Sequence, residues 1–278
     1  MKILSCGAGM QSTALALMAC ENKMRGEIVH PIVPIYDYIF FCDLGNEPIW
    51  VYKQVDFIAE KCKEADIPFI VLNTGLYQHY KERFGNARVV SIPFWTVDEN
   101  GKKGKMIRTC TLEFKINEMI KYTKYNILGY KRYQKTKPED MKAHEMHLGF
   151  SLEEKHRCKP NPSPLFENKF PLVDMGLERK DNYKYIFEVW GLDSKASACN
   201  FCPFHTNYFF NYIKTESPKD YADVVDFDEM LEREQPNTKI RSKLYISKSR
   251  KRIKDLTCEE CQDKETFPYK EEMIWNGF

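Results

Sequence analysis

At 278 residues the chain is long enough to bury a sizeable core, as one large domain or one domain with an appendage. Hydrophobic residues make up 43% and aromatics 14%, which excludes a disordered chain, and no run approaches the ~20 apolar residues of a membrane-spanning helix. The net charge of +2 implies no polyanionic partner by itself, but the charges are unevenly placed. Lys239–Lys254 carries eight Lys or Arg and no acid, whereas Glu216–Glu234 carries eight acids against two bases.

A short apolar run over Lys2–Ser5 predicts a first strand, followed by a loop of small residues to Gly9 and a helix over Ser12–Lys23. Strand, tight loop and helix N-terminus in that order form an anion pocket, because loop N–H groups converge where the helix dipole is positive. This start does not read as a signal peptide, so a cytoplasmic location is expected. A second strand is predicted over Tyr38–Cys42, with Asp43 at its end and Gly45 in the turn beyond. Pro48 then suits the first turn of a helix reaching Ala65, and Ile67–Leu72 reads as a third strand. This alternation predicts an α/β fold with a parallel twisted sheet flanked by helices. Ligands of such sheets sit at the carboxyl ends of strands, where Ser5–Gln11 and Asp43 fall.

Further on, Asp98–Gly104 reads as a hairpin turn, Thr111–Tyr125 as a helix and Lys131–Met141 as a polar connection. Ser151, with Glu154 three residues on, has the pattern of a capping box. After His205 the chain turns to aromatic-rich, charged helices. The expected organisation is an α/β domain over 1–210 and a smaller, mainly helical C-terminal extension over 211–278.

Ten cysteines without a secretory context point to metal or redox chemistry rather than to disulfides. Cys199-Asn-Phe-Cys202-Pro-Phe-His205 holds one CxxC and Cys258-Glu-Glu-Cys261 another, a spacing that turns two thiolates toward one metal. Cys110 is a third element, whereas Cys6, Cys20, Cys42, Cys62 and Cys158 read as small buried residues. Arg108, Lys115, Arg157 and Arg179 lie beside turns or helix starts, where cations can reach phosphate.

The loop Gly7-Ala-Gly-Met-Gln-Ser-Thr13 resembles the pyrophosphate loop of the PP-loop ATP pyrophosphatase superfamily, usually Ser-Gly-Gly-x-Asp-Ser-Ser/Thr. Five further segments, in order, resemble its phosphoadenosine-phosphosulfate-reductase-like branch of bacteria and phages: Phe41–Glu47, Arg108–Lys115, Gly149–Arg157, Phe170–Arg179 and Lys195–Phe204. The resemblance spans roughly residues 3–206 and implies an adenine nucleotide alpha hydrolase-like fold.

It also implies ATP and Mg²⁺ as cofactors. Ser5, Gly7, Ala8, Gly9, Gln11, Ser12, Thr13, Asp43 and Arg179 would bind nucleotide, and Ser12, Asp43, Arg108, Lys115 and Arg157 would act in catalysis. ATP would be cleaved to AMP and pyrophosphate while a nucleotide or nucleic acid is modified, with sulfur transfer the leading reaction. Gln11 departs from the Asp of the superfamily loop and brings no negative charge to Mg²⁺; Asp43 is the alternative source. Cys110, Cys199 and Cys202 match three of the four cysteines that hold a [4Fe–4S] cluster in iron–sulfur members, with Thr109 at the fourth position. Zn²⁺ is the rival occupant, with His205, Cys258 or Cys261 completing the set. Two other readings stay open: a sulfonucleotide reductase, and a non-catalytic nucleotide-binding module of a phage or defence system. Lys239–Lys254 is the candidate nucleic-acid contact, no membrane contact is expected, and self-assembly is left open.

Overall fold

Ile3 and Leu4 of strand β1 (Lys2–Cys6) are fully buried. Such an apolar run suits a strand with neighbours on both sides and helices on both faces. The computed structural model describes residues 1–257. After β1 come α1 (Met10–Arg25), β2 (Tyr38–Asp43), α2 (Ile49–Glu64), β3 (Phe69–Asn73) and α3 (Leu76–Arg83). The hairpin β4 (Trp95–Val97) and β5 (Lys103–Lys105) follows, then a helix whose middle, α4 (Asn117–Tyr122), is flanked by π-helical turns. Next are β6 (His144–Leu148), a 3₁₀ segment (Leu152–Arg157), β7 (Phe166–Lys169), α5 (Pro171–Asp174) and α6 (Arg179–Trp190). The described chain closes with α7 (Asn207–Glu216), α8 (Pro218–Glu234) and β8 (Lys243–Tyr245). No helix among the described residues is long and apolar enough to cross a membrane.

The chain divides into two units that interleave along the sequence. The first comprises Met1–Cys42, Trp50–Leu72 and Asn117–Ser197; the second comprises Asp43–Ile49, Asn73–Ile116 and the chain from Ala198 onward. In the first, a five-stranded sheet has the order β3-β2-β1-β6-β7 and is parallel, a Rossmann-like arrangement. The order reverses at β1, so the loops after β1 and β6 face the crevice where doubly wound sheets hold ligands. Ile3, Phe40, Met146 and Phe166 join Met119 and Leu165 in one core.

The alternation expected over the first 72 residues is present, with shifted boundaries. Helix α1 begins at Met10, two residues early, because Gly9 takes the extended N-cap conformation, and it ends at Gly26 in the left-handed region. Strands β6 and β7 lie where no strand was expected. His-Glu-Met-His-Leu and Phe-Glu-Asn-Lys carry too few apolar residues to stand out, and the parallel ladder overrides local preference. The capping-box expectation at Ser151 is half right. A 3₁₀ segment does start there, but Ser151 makes no side-chain cap. The capping box that does form pairs Glu178 with Asp181 at the start of α6.

In the second unit β8 pairs antiparallel with β4, and β4 with β5. The expected boundary at 210 thus falls inside α7, and the chain beyond it supplies a strand as well as helices. The hairpin expected at Asp98–Gly104 is present, with Asp98 accepting from the Asn100 and Lys102 amides. The core is aromatic: Phe227 lies against Phe201 at 4.7 Å, Tyr77 at 5.4 Å and Tyr80 at 5.8 Å between ring centres.

Asn22, buried in α1, holds the connection into β2. Its Oδ1 accepts from the Val29 and His30 amides, and its Nδ2 donates to the His30 and Val33 carbonyls. Asn22→Leu keeps the volume but strips the side-chain partner from the Val29 and His30 amides and the Val33 carbonyl, while the His30 carbonyl keeps the Val33 amide. Its urea midpoint should fall by the equivalent of about 2–5 kcal/mol.

Candidate functional site

The turn after β1 is built around Ser12, whose Oγ accepts from the Gly7 amide at 3.1 Å and donates to the Gly9 carbonyl at 3.3 Å. Ala8 sits in the left-handed region (φ 52°), a conformation that costs an L-residue about 1 kcal/mol. Its carbonyl accepts from Gln54, a buried α2 side chain that also hydrogen-bonds the Lys195 amide and carbonyl. The turn is therefore clamped as well as tight. Two glycines have no room for a side chain: a Cβ at Gly9 would lie 2.7 Å from Ser197 Oγ, and one at Gly149 would lie 2.7 Å from the Ser12 amide nitrogen. The first turn of α1 carries no acid, so its dipole meets no local counter-charge. Thr13 Oγ1 is buried with no hydrogen-bond partner among the described residues.

The loop after β6 closes one side of this turn. Gln11 Nε2 donates to Glu154 Oε2 at 2.9 Å and to Ser151 Oγ at 3.4 Å, so the neutral amide is tied to a carboxylate. Glu154 is in turn paired with Arg157, whose guanidinium stacks on Phe150 at 4.5 Å. Arg179 opens α6, and its amide donates to Glu153 Oε1 at 2.9 Å. Of the expected residues, Gly7, Ala8, Gly9, Gln11, Ser12, Thr13 and Arg157 thus form one constellation in the first unit. Arg179 joins it through Glu153, and Ser5 lies on β1 opposite Phe40 and Leu148. Gln54, Ser151, Glu154 and Ser197 were not expected at the site. Ser151 and Glu154 alone carry a sequence signal, their spacing, and that pattern suggested a cap.

A second constellation belongs to the second unit. Phe201, buried in the aromatic core, fixes the Cys199–Cys202 turn, which is closed by the Cys202 amide on the Cys199 carbonyl at 2.9 Å. The two thiols hydrogen-bond each other. Cys199 is raised, by its bond to Cys202 and by burial; the same bond, reinforced by the Phe204 backbone and Arg108, lowers Cys202 to about 7. Of the two, Cys202 is the thiol that ionises more readily. Glu47 is nearly fully buried beside it, raised by burial while Lys115 pulls the other way. Glu47 ends the Phe41–Glu47 segment, yet no local pattern gives it a role. Asp43 orders the neighbouring turn: its side chain accepts from the Gly45 amide at 2.7 Å and its carbonyl from the Thr74 amide at 2.9 Å.

Cys110 hydrogen-bonds Ser91 through its amide. Among the described residues no group of three or more His, Cys, Asp or Glu is arranged to hold a metal ion. The Cys199–Cys202 pair supplies two of the four protein ligands that a [4Fe–4S] cluster or a structural Zn²⁺ takes. Cys258 and Cys261 lie outside the described residues. His205 is a core side chain: its Nε2 hydrogen-bonds the Cys199 carbonyl at 2.9 Å and its ring stacks 3.5 Å from Phe209. Cys6 behaves as a buried apolar residue, raised to about 11 by burial.

Burial lowers His205 to about 3, so it is neutral in the fold and binds a proton on unfolding below about pH 6.5. Its contribution is present above that pH and is lost as pH falls toward 3, by up to about 1.4 kcal/mol per unit. Urea midpoints should fall from pH 7 to pH 5, and the slope should flatten in His205→Gln. Gly149→Ala pushes a methyl into the start of α1 and should cost about 1–3 kcal/mol, read as a lowered urea midpoint. The chain matches no family model and no curated protein, so the functional reading rests on these residues.

Proposed function

We propose that the protein binds ATP in the turn after β1 and cleaves it between the α- and β-phosphates to modify a nucleotide or nucleic acid. The observation that carries this reading is the turn itself. Gly9 and Gly149 leave no space for side chains, and an acid-free helix N-terminus opens at the switch point of the sheet. Backbone amides and the α1 dipole hold the phosphates there, and Arg157 and Arg179 supply charge that stabilises the departing pyrophosphate. An acceptor oxygen attacks the α-phosphorus, the bond to the pyrophosphate oxygen breaks, and the acceptor is left adenylated. Mg²⁺, when bound, would neutralise pyrophosphate charge, and Glu154 is the carboxylate held at this turn.

The thiol pair favours sulfur as the second nucleophile. A persulfide donor passes a sulfane sulfur to the Cys202 thiolate. The terminal sulfur attacks the adenylated carbon, its C–O bond breaks, and AMP leaves. Cys199 then attacks the Cys202 sulfur and releases the thiolated product, leaving a Cys199–Cys202 disulfide for an external dithiol to reduce. The same two-electron pair favours a second reading, reduction of an adenylyl sulfate to sulfite.

With ATP, a persulfide donor and mixed transfer RNA or single-stranded DNA, AMP and pyrophosphate should appear in equal amounts. Ser12→Ala removes the hydroxyl that orders the turn and should slow AMP formation tenfold or more, about 1.4 kcal/mol. Undiminished AMP formation in that variant, or no AMP formed by the wild-type chain on any acceptor, would overturn the proposal. Sulfite release from adenylyl sulfate without ATP turnover would favour the reductase.

A further inference from the structure

One face of the small sheet is laid out as alternating rings and cations. Antiparallel register sets Trp95 directly opposite Lys105 on one side and Tyr245 on the other, and Val97 opposite Lys103 and Lys243. Directly opposed residues share a face, so Trp95, Tyr245, Lys103, Lys105 and Lys243 project together, while Leu244 is buried on the other face. Arg250 lies over the Trp95 ring at 5.2 Å, and Lys105 lies over Trp95 at 5.3 Å and over Phe204 at 4.9 Å. Arg108 lies over the other end of this run, 5.4 Å from Phe204. The sequence Arg250, Trp95, Lys105, Phe204, Arg108 is a continuous ladder, and its last cation is the one that helps lower Cys202.

Among the described residues the charges of this ladder meet no carboxylate. Arg252 and Lys254, from the same basic run, are neutralised by Asp228, Glu232 and Glu229 of α8. Lys103, Lys105, Arg108, Lys243 and Arg250 have no carboxylate partner among the described residues. Phe204 is 43% exposed despite its size. Cations beside ring faces suit a ligand that alternates phosphate with flat bases and can unstack them, which a single strand does and a duplex does not.

We infer that the β5-β4-β8 face binds single-stranded nucleic acid and leads it toward Cys202. Such a strand is the acceptor class of the proposed function. That reading is needed only for the strand to be a substrate; strand binding rests on the face itself.

The test is fluorescence anisotropy, without ATP, on labelled single strands of about 12 nucleotides, one thymidylate DNA and one uridylate RNA, and on the matched duplex. The wild-type chain should bind a single strand at least tenfold more tightly than duplex; the two single strands show whether the 2′-hydroxyl matters. Replacing the exposed Lys103, Lys105 and Lys243 by Gln should weaken binding tenfold or more. It should also reduce the slope of log affinity against log salt by about 2, near 0.7 for each phosphate no longer neutralised. Phe204→Ser should weaken binding and leave the slope unchanged. Equal affinity for duplex, or triple-variant binding like wild type with an unchanged thermal midpoint, would overturn the inference. Loss of binding through Gln substitutions in the Lys/Tyr-rich segment Lys121–Lys137 instead would overturn it too. Absence of AMP formation with strand binding intact would sink the proposed reaction and leave the surface standing.

Discussion

No side chain fits where the backbone after β6 meets the first turn of α1, and most of the first unit's chemistry follows from that exclusion. The Gly149 contact brings the β6 loop hard against Ser12, so Ser151 and Glu154 reach Gln11 by direct hydrogen bonds. The Gly9 contact does the same for Ser197. Gln54 then holds the Ala8 carbonyl, which keeps an alanine in a conformation that glycine would adopt more readily. Close approach, not any single functional group, makes the turn a cradle.

How much of this could be read in the sequence depended on how strongly each element announces itself. Ile3-Leu4 and the run Ile39–Phe41 are buried on both sides, and such strands are written as apolar runs. The β6 residues His144, Met146 and His147 are buried as well, but a histidine-rich strand looks like a polar connection. The pairing of Gln11 with Glu154 joins residues 143 positions apart, a relation no local pattern encodes. At Ser151, the spacing that stabilises an isolated helix start was real, yet its members were recruited by tertiary contacts. The thiol pair was legible because CxxC is a local motif. Glu47 beside it was not, because its meaning comes from burial.

The two charge-rich runs of the C-terminal third divide their roles in a way composition could not separate. Part of the basic run is internal counter-charge: Asp228, almost fully buried, accepts from Arg252 at 2.9 Å and from the Ile253 amide at 2.9 Å. Removing either partner of such a pair leaves a buried charge exposed to a low-dielectric interior. Arg250 of the same run lies instead over the Trp95 ring, with no carboxylate partner among the described residues. A net charge of +2 conceals both facts.

The interleaving of the two units shapes how the protein is made and how it could change. The chain crosses between them after Cys42, Ile49, Leu72, Ile116 and Ser197. Strand β1 is synthesised first but acquires its partner β6 only when residue 144 and those after it emerge. The sheet therefore cannot close early during translation, and its assembly is dominated by contacts distant in sequence, which slow folding. No single cut in the gene separates the turn after β1 from the thiol pair, so neither can be exchanged for another module by one recombination event. The two have to be inherited together.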